Sequence, residues 1–335
     1  MAIQRFTDAE ISSTGAFLVG ELERLDPTLY EPISDFTWGR DIDLRTDVTI
    51  ADEVTSFVLS NFGGGFGGTS VGTKSWITGG DSTPARVSIS ATKVTTPMTP
   101  WGMEVAYSIF ELQKAQQAGR PIDVQKYDAM RTKHQLDIDT QVYIGDTELG
   151  IKGLLNNDDN VTVTNLGEFT PGTTTPAETI EFFNELLNSA WQATQYTRIP
   201  NRLLVPPSFF SALASTQLPN TERNLLEYVK QNNLSVANGG TLDIVPVKWL
   251  ANEDIFENPR IVAYTKDRSV VRFPMVELQS LPVQYRDYMQ AVPYYGALGG
   301  VEFVRPEMVL YADLKDAGRA KARVGSAKVG SSKVG

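Results

Sequence analysis

The stretch NFGGGFGGTSVGTKSW, residues 61–76, has residue types and spacings that are typical of phosphate-binding loops. Six of the ten residues at 63–72 are glycine, and a G-x-G-x-x-G pattern starts at Gly63. A near match to a P-loop starts at Gly67, with Lys74 just beyond it. Nucleotide binding is therefore the first chemistry that the sequence suggests.

The segments on either side of these glycines predict strands. Residues 53–62 are rich in β-branched and aromatic side chains, and residues 85–98 alternate between apolar and polar ones. A phosphate-binding loop needs a helix directly after its glycines, and in the near P-loop Thr73 takes the place of the lysine. The sequence therefore favours an extended β-hairpin whose tip is rich in glycine so that the backbone can bend or be approached closely.

Side chains suited to catalysis or metal binding are few. The chain has no cysteine and a single histidine, His134, which excludes thiolate nucleophiles, disulfides and His-rich metal centres. Two carboxylates two positions apart on a helix point in different directions, and those in turns commonly bond their own backbone. We therefore predict no catalytic residue, cofactor or metal site at the three acidic pairs, which are Asp41 with Asp43, Asp137 with Asp139, and Asp158 with Asp159.

Composition indicates a folded protein with an uneven charge. The chain has 335 residues, of which 41% are hydrophobic, without an apolar run near the roughly 18 residues of a membrane helix and without a secretory signal pattern. The net charge is −10, but residues 315–335 carry six basic side chains against Asp316, which leaves −15 on the rest. That body disfavours phosphate contacts, and the low-complexity tail, which we expect to be mobile, is the one electrostatic candidate for touching DNA.

Apolar residues at helical spacing predict helices at 104–118, 121–143, 175–195 and 221–232, with a short one after Pro206. The third begins with the capping-box pair Thr175 and Glu178, and Thr221 is the expected cap of the fourth. From Thr241 onward the sequence predicts mainly strands. The second helix carries an apolar stripe formed by Ile122, Tyr127, Met130, His134, Ile138 and Val142. Because His134 lies on this stripe, it is expected to be packed or hydrogen-bonded.

Four stretches, in this order, resemble the major capsid proteins of tailed bacteriophages. They are YSIFELQKAQQAGRPIDVQKYDAM (107–130), IGDTELGIKGLLNN (144–157), NRLLVPPSFFSAL (201–213) and GVEFVRPEMVLYADL (300–314), the last preceded by the aromatic-rich residues 284–299. Their order and spacing carry the resemblance, which covers about residues 45–314. That family has the Hong-Kong-ninety-seven-type shell fold, which encapsulins share.

The resemblance implies an α+β shell fold with an N-terminal arm, an extended β-hairpin loop, a long spine helix, and peripheral and axial domains. The implied divisions are an arm at 1–47, the hairpin at 48–100, a peripheral domain at 101–175 with its spine helix at 121–143, an axial domain mainly at 176–295, a return strand at 296–314 and a tail at 315–335. From the residues alone, the first 47 are equally an arm that packs elsewhere or an ordinary part of the domain.

The glycine-rich loop would then reach over a neighbouring subunit. The residues expected in this contact are Gly63, Gly64, Gly65, Phe66, Gly67, Gly68, Gly72, Lys74 and Trp76. Some relatives cross-link a lysine of this loop to an asparagine of another subunit, and Lys74 is the candidate here. A lysine that only solubilises the loop is the favoured alternative.

The function implied by the resemblance is that of a structural subunit. Homopentamers and homohexamers would form an icosahedral or prolate head around double-stranded DNA, in the virion, after assembly in the host cytoplasm. Scaffolding, portal and decoration proteins are further expected partners, and no membrane is. An encapsulin-type compartment is the alternative within the same fold, and an enzyme using carboxylates or the glycine-rich loop is the alternative from another class.

Overall fold

The computed structural model describes residues 35–65, 86–118, 122–168, 174–218, 223–251, 256 and 258–315. Their helices are α1 (Trp38–Asp41), α2 (Ile109–Ala118), α3 (Ile122–Tyr143), α4 (Pro176–Ala193), α5 (Pro207–Ser215), α6 (Leu225–Gln231) and α7 (Leu234–Ala237). The first strands are β1 (Asp43–Arg45), β2 (Val54–Gly65), β3 (Arg86–Ser108), β4 (Gly145–Asp146), β5 (Ile151–Lys152), β6 (Thr162–Glu168) and β7 (Arg202–Val205). The others are β8 (Asp243–Pro246), β9 (Arg260–Tyr264), β10 (Val271–Ser280), β11 (Gln284–Arg286), β12 (Met289–Gly299), β13 (Glu302–Phe303) and β14 (Val309–Lys315).

A seven-stranded sheet contains the longest strand of the described residues. Its order is β1-β10-β12-β3-β2, with β11 also paired to β12 and β13 to β10. The 23-residue strand β3 pairs with β12 over its second half, from Met98 to Ser108, and with β2 over its first half, from Arg86 to Pro97. One strand therefore belongs both to the body and to a two-stranded extension.

A five-stranded sheet of order β6-β14-β9-β7-β8 forms the centre of the other half. Side chains along each strand point alternately to two faces, and both faces are buried. For this reason every residue of β9 is buried. One face, which includes Leu203 and Ile261, packs against α4 and α5 in one core cluster. The opposite face, with Leu204 and Val262, belongs to a second cluster that also contains Ile138 of α3.

Helix α3 confirms the predicted long helix, with Ile122 as its first described residue. Of the predicted stripe, Met130, His134, Ile138 and Val142 are buried, whereas Tyr127 is exposed. Helix α4 has the predicted capping box, in which the Thr175 hydroxyl accepts from the Glu178 N–H and the Glu178 carboxylate accepts from the Thr175 N–H.

Two expected helix starts are wrong. Helix α2 begins at Ile109 and not at Glu104, because residues 104–108 continue β3 in register with β12, which buries Val105 and Tyr107. The N-cap of α6 is Asn224, and Thr221 lies outside the described residues. The first error arises because pairing with distant β12 decides the structure of residues 104–108, whereas before α6 Asn224 forms a bridge with nearby Gln217.

Candidate functional site

The outer half of the hairpin is a ribbon of two strands. Val54–Gly65 pairs antiparallel with Arg86–Pro97 in unbroken register, from Val54 opposite Pro97 to Gly65 opposite Arg86. Twelve residues of strand extend about 40 Å at roughly 3.3 Å per residue. This confirms the predicted hairpin, which we call the ribbon.

The ribbon presents apolar side chains to solvent. Val54 is 51% exposed, Val58 63% and Ile89 65%. Alternate residues of a strand share a face, and so do cross-strand partners. Ile89 pairs with position 62, which is an even number of residues from Val54 and Val58, so Val54, Val58 and Ile89 lie on the same face. On the opposite face Thr55 is buried, and the Phe57 ring lies 5.8 Å from the Arg272 guanidinium carbon.

The structure places only part of the predicted contact loop. Gly63, Gly64 and Gly65 are the last residues of β2 and lie opposite Ser88, Val87 and Arg86. These glycines lie in a strand and not in a strand-to-helix turn. The remaining predicted residues, Phe66, Gly67, Gly68, Gly72, Lys74 and Trp76, lie outside the described residues.

A cleft of about 300 Å³ separates the base of the ribbon from the body. Phe57 and Val94 of the ribbon line one side, and Ile151 and Phe303 line the other, with Lys152 at the rim. The cleft is open to solvent and is lined by both polar and apolar side chains. Beside the cleft, Arg45 donates to the Ser56 carbonyl at 3.3 Å and Arg272 lies over the Phe57 ring, so the base of the ribbon is held against the body by both contacts.

The last part of the predicted arm at residues 1–47 is anchored by a buried carboxylate, that of Asp41. It is fully buried and accepts hydrogen bonds from Arg40 (2.8 Å), from Arg202 (2.9 Å) and from the Tyr143 hydroxyl. Its backbone carbonyl accepts from the Tyr264 hydroxyl at 2.6 Å. Burial and the negative charge of Asp41 raise the pKa of Tyr143 well above its usual range, so the phenol remains a donor.

A second buried carboxylate joins the same segment to α3. Asp139 accepts from the backbone N–H groups of Thr37 (2.8 Å) and Trp38 (3.1 Å), which begin α1, and from the Trp249 indole at 2.8 Å. The Lys248 ammonium forms an ion pair with the same Asp139 carboxylate at 2.9 Å. Residues 37–41, which the resemblance assigns to the arm, are thus packed into the body.

The acidic pairs predicted to be non-catalytic have structural partners. Asp137 accepts from the Trp101 indole at 3.0 Å and points away from the partners of Asp139, as the helical spacing predicts. The expectation that turn aspartates bond their own backbone is wrong for Asp41, and for Asp158, which pairs with Arg260. Within the described part of the chain, no three His, Cys, Asp or Glu side chains are grouped to hold a metal.

His134 is buried on α3 against β3. It is 3% exposed, its ring meets that of Trp101 edge-on at 4.5 Å between centroids, and its Nε2 atom has no hydrogen-bond partner. Burial lowers the pKa of His134, and the nearby Asp137 carboxylate offsets this only in part. His134 is therefore a neutral packing residue at neutral pH, as the stripe predicts.

Acid is expected to weaken the fold through His134. Its folded pKa is lowered, so the unfolded chain binds the proton more tightly and stability is lost as pH falls below about 6.5, by at most about 1.4 kcal/mol per pH unit. Urea unfolding at pH 7.5 and 5.5 measures this loss. The variant His134→Phe keeps a ring on Trp101 without a titrating group, and it should lose less stability than wild type. Equal losses would contradict the role of His134.

Comparison with solved structures gives the class of fold. The capsid of Myoviridae phage XM1 matches with a TM-score of 0.72 at 16% identity, over 88% of this chain and 98% of that one. A chain of Mycobacterium phage Ogopogo matches with a TM-score of 0.56 at 14% identity, over 94% of this chain and 100% of that one. The SrpI encapsulin of Synechococcus elongatus matches with a TM-score of 0.53 at 10% identity, over 94% of this chain and 97% of that one. At these identities the likeness shows a fold shared by capsid and encapsulin shells.

The family follows from the sequence itself. The family model of the major capsid protein matches residues 72–314, so this chain belongs to the major capsid protein family and is a structural subunit of a bacteriophage capsid. The match includes β3, α3 and the described strands after them up to residue 314, but not β1 or β2, and it places the protein in the virion shell. No curated protein matches the sequence. Among the described residues, no helix is long and apolar enough to cross a membrane.

Proposed function

We propose that this chain self-assembles through homopentamers and homohexamers into an icosahedral or prolate head that encloses double-stranded phage DNA. Assembly takes place in the host cytoplasm, with scaffolding, portal and decoration proteins as further partners. The observation that carries the proposal is the ribbon, which leaves the body with an apolar face open to solvent. The capsid family supports the structural role, and that role needs no catalytic site.

The ribbon is the part that reaches a neighbouring copy. A two-stranded hairpin is marginally stable in water and gains stability when it packs on another surface. Its face with Val54, Val58 and Ile89 packs on nothing within the described chain. In a shell of repeated copies, the same face meets the same neighbour surface many times, so weak contacts add up to a stable container. The glycines beyond Gly65, and Lys74, belong to this proposed contact.

Charge supports DNA as the contents. The body outside residues 315–335 carries a net charge of −15, and we propose that much of it faces inward, where it keeps packaged DNA from adhering to the wall through its phosphates. DNA is then held without sequence-specific contacts. The fold is shared with the holo-SrpI encapsulin complex, so an encapsulin-type compartment is the alternative function. Purified shells that contain DNA favour the capsid, and shells that contain a cargo protein favour the compartment.

The double variant Val58→Thr, Ile89→Thr tests the ribbon. Both side chains are more than 60% exposed and threonine keeps the β-branched shape, so the free energy of unfolding of the subunit should change by less than about 0.5 kcal/mol. Hydroxyls buried in a shell contact cost about 1–3 kcal/mol each, so assembly should need at least about tenfold more subunit. Sedimentation of shells against subunit concentration measures this.

The matched control exchanges the two side chains' types, Val58→Ile with Ile89→Val. It keeps both positions apolar and should assemble like wild type. Assembly of the threonine variant at the wild-type concentration would show that this face is not an intersubunit contact.

A further inference from the structure

His134 carries a polar atom that the fold leaves without a partner. Its Nε2 atom is the one buried side-chain nitrogen or oxygen without a hydrogen bond among the described residues. Buried polar atoms nearly always have a partner, so an exception needs a reason. Packing does not supply one, because a phenylalanine ring would fill this place against Trp101 without burying an unpaired nitrogen.

The composition of the chain confines a response to mild acid to the same residue. Histidine is the side chain whose ordinary pKa makes it change charge between pH 5 and 8, and a perturbed cysteine is the usual second case. The 335-residue chain has one histidine and no cysteine. A change in this protein near pH 6 is therefore expected to start at His134.

Asp137 is the acceptor that a protonated His134 can reach. It lies three residues further along α3, a spacing that makes side chains neighbours on the helix surface. At neutral pH its carboxylate accepts from the Trp101 indole at 3.0 Å and from the Lys133 ammonium. The Trp101 ring also touches the His134 ring. A charged imidazolium therefore competes with the neutral indole for this carboxylate, and the charge-assisted hydrogen bond is the stronger of the two.

The other titratable groups around His134 do not supply another counter-charge. They are Arg131 and Lys133 of α3, Tyr107 of β3, Tyr294 of β12, and Asp146 and Glu148 of residues 144–149, which follow α3. The phenols are neutral below pH 8, and burial raises the pKa of Tyr294 further. Among the charges, that of Asp137 is the one that raises the pKa of His134 against the effect of burial.

A cavity beside these side chains leaves room for the indole to move. Its volume is about 620 Å³, and it is lined by Trp101, Lys133 and Asp137 together with residues 144–149. The hydrogen bond between Trp101 and Asp137 therefore borders a space that is open to solvent. Solvent there can supply the proton and can accept the hydrogen bond that the indole N–H gives up.

Trp101 connects this site to the base of the ribbon. It lies on β3 four residues after Pro97, at which pairing with β2 ends. Its ring packs against both core clusters that meet at α3. Trp101 is thus the side chain that holds β3 on α3 next to the point where the ribbon leaves the body.

We infer that His134 is an acid-sensitive switch, in which protonation transfers Asp137 from the Trp101 indole to the imidazolium and loosens β3 beside the ribbon base. The proton comes from solvent, and no covalent bond is made or broken. The switch itself needs no shell. Its consequence for assembly, which is weaker ribbon contacts in mild acid, rests on the proposed shell function.

The wild-type subunit gives a direct test, because one imidazole gives one set of NMR signals. Labelling at histidine measures the pH of half-protonation, which is expected below about 6.5 because burial lowers the pKa of His134. Hydrogen exchange of residues 98–106, corrected for the intrinsic effect of pH, should accelerate by up to about tenfold per pH unit below that midpoint. Residues 202–205 of β7 should keep their rate. Exchange of residues 98–106 that stays constant, or changes at a different pH, would overturn the switch.

Two variants separate the proton site from its acceptor. His134→Phe keeps a ring on Trp101 and cannot bind a proton, so exchange of residues 98–106 should be equal at pH 7.5 and 5.5. Asp137→Asn keeps an oxygen for the indole but has no charge, so half-protonation of His134 should shift to lower pH. Acceleration in His134→Phe, or an unchanged midpoint in Asp137→Asn, would contradict the assigned roles.

Shells formed at pH 7.5 and moved to pH 5.5 test the consequence for assembly. Sedimentation should show about tenfold more free subunit released from wild-type shells than from His134→Phe shells. Equal release would overturn the control of assembly while the shell function stands. A folded wild-type chain that forms no shells would overturn the shell function and this consequence together, and the exchange results then decide the switch by themselves.

Discussion

Replacing Asp41 with alanine should lower the free energy of unfolding of the subunit by about 3–5 kcal/mol. The carboxylate is fully buried and pairs with Arg40 and with Arg202, whose side chain is 12% exposed. Removal of one partner of a buried ion pair is the costly case, and it leaves Arg202 with only the exposed carboxylate of Asp243, at 3.3 Å, as its ion-pair partner. The Tyr143 hydroxyl loses its acceptor in the same change. Urea unfolding at pH 7 measures the loss.

Asp43→Ala is the matched control, two residues further along the same segment. The Asp43 side chain is 39% exposed and lies 3.7 Å from Lys266, so its removal should cost less than about 1 kcal/mol. Similar losses in the two variants would contradict the anchoring role of Asp41.

Gly153→Ala should destabilise the subunit by about 3 kcal/mol or more, because the new side chain has no room. A Cβ at this position would lie 2.4 Å from the carbonyl carbon and oxygen of Tyr143 and 2.5 Å from the nitrogen of Ile144. These are backbone atoms at the end of α3, and they cannot move without disturbing the helix. The Gly153 N–H also donates to the Ile144 carbonyl at 3.1 Å.

Gly39→Ala separates this clash from the general effect of glycine removal. Gly39 lies in α1, where a Cβ would meet no atom within 4 Å. Alanine there should be neutral or should stabilise the helix by up to about 1 kcal/mol. Thermal unfolding of the two variants side by side checks the difference. Equal melting temperatures would show that the close approach at Gly153 does not constrain the fold.

Local signals in the sequence predicted local structure well. The Thr175–Glu178 capping box and the proline at position 176 mark the start of α4, because caps depend on residues within one turn. The alternating residues around the glycines predicted the ribbon, since its two strands are neighbours in sequence. The resemblance to capsid proteins rested on spaced motifs, and the family match over residues 72–314 confirms it.

Partners distant in sequence explain what was missed. Residues 104–108 fit helical spacing and strand alternation equally well. They form a strand because they pair with β12, almost 200 residues later. The role of Asp41 depends on Arg202 and Tyr143, which no local pattern connects to it. Tyr285 and Tyr288 are largely exposed because β11 and β12 turn at Asp287 and Tyr288, and no local sequence pattern shows on which side of this turn the solvent lies.

Cryo-electron microscopy of the purified, assembled protein tests the central claim most directly. We expect closed shells of pentamers and hexamers, in which the face of the ribbon with Val58 and Ile89 lies on a neighbouring copy. Folded subunits that remain single at high concentration, or shells in which each ribbon touches only its own body, would contradict the account.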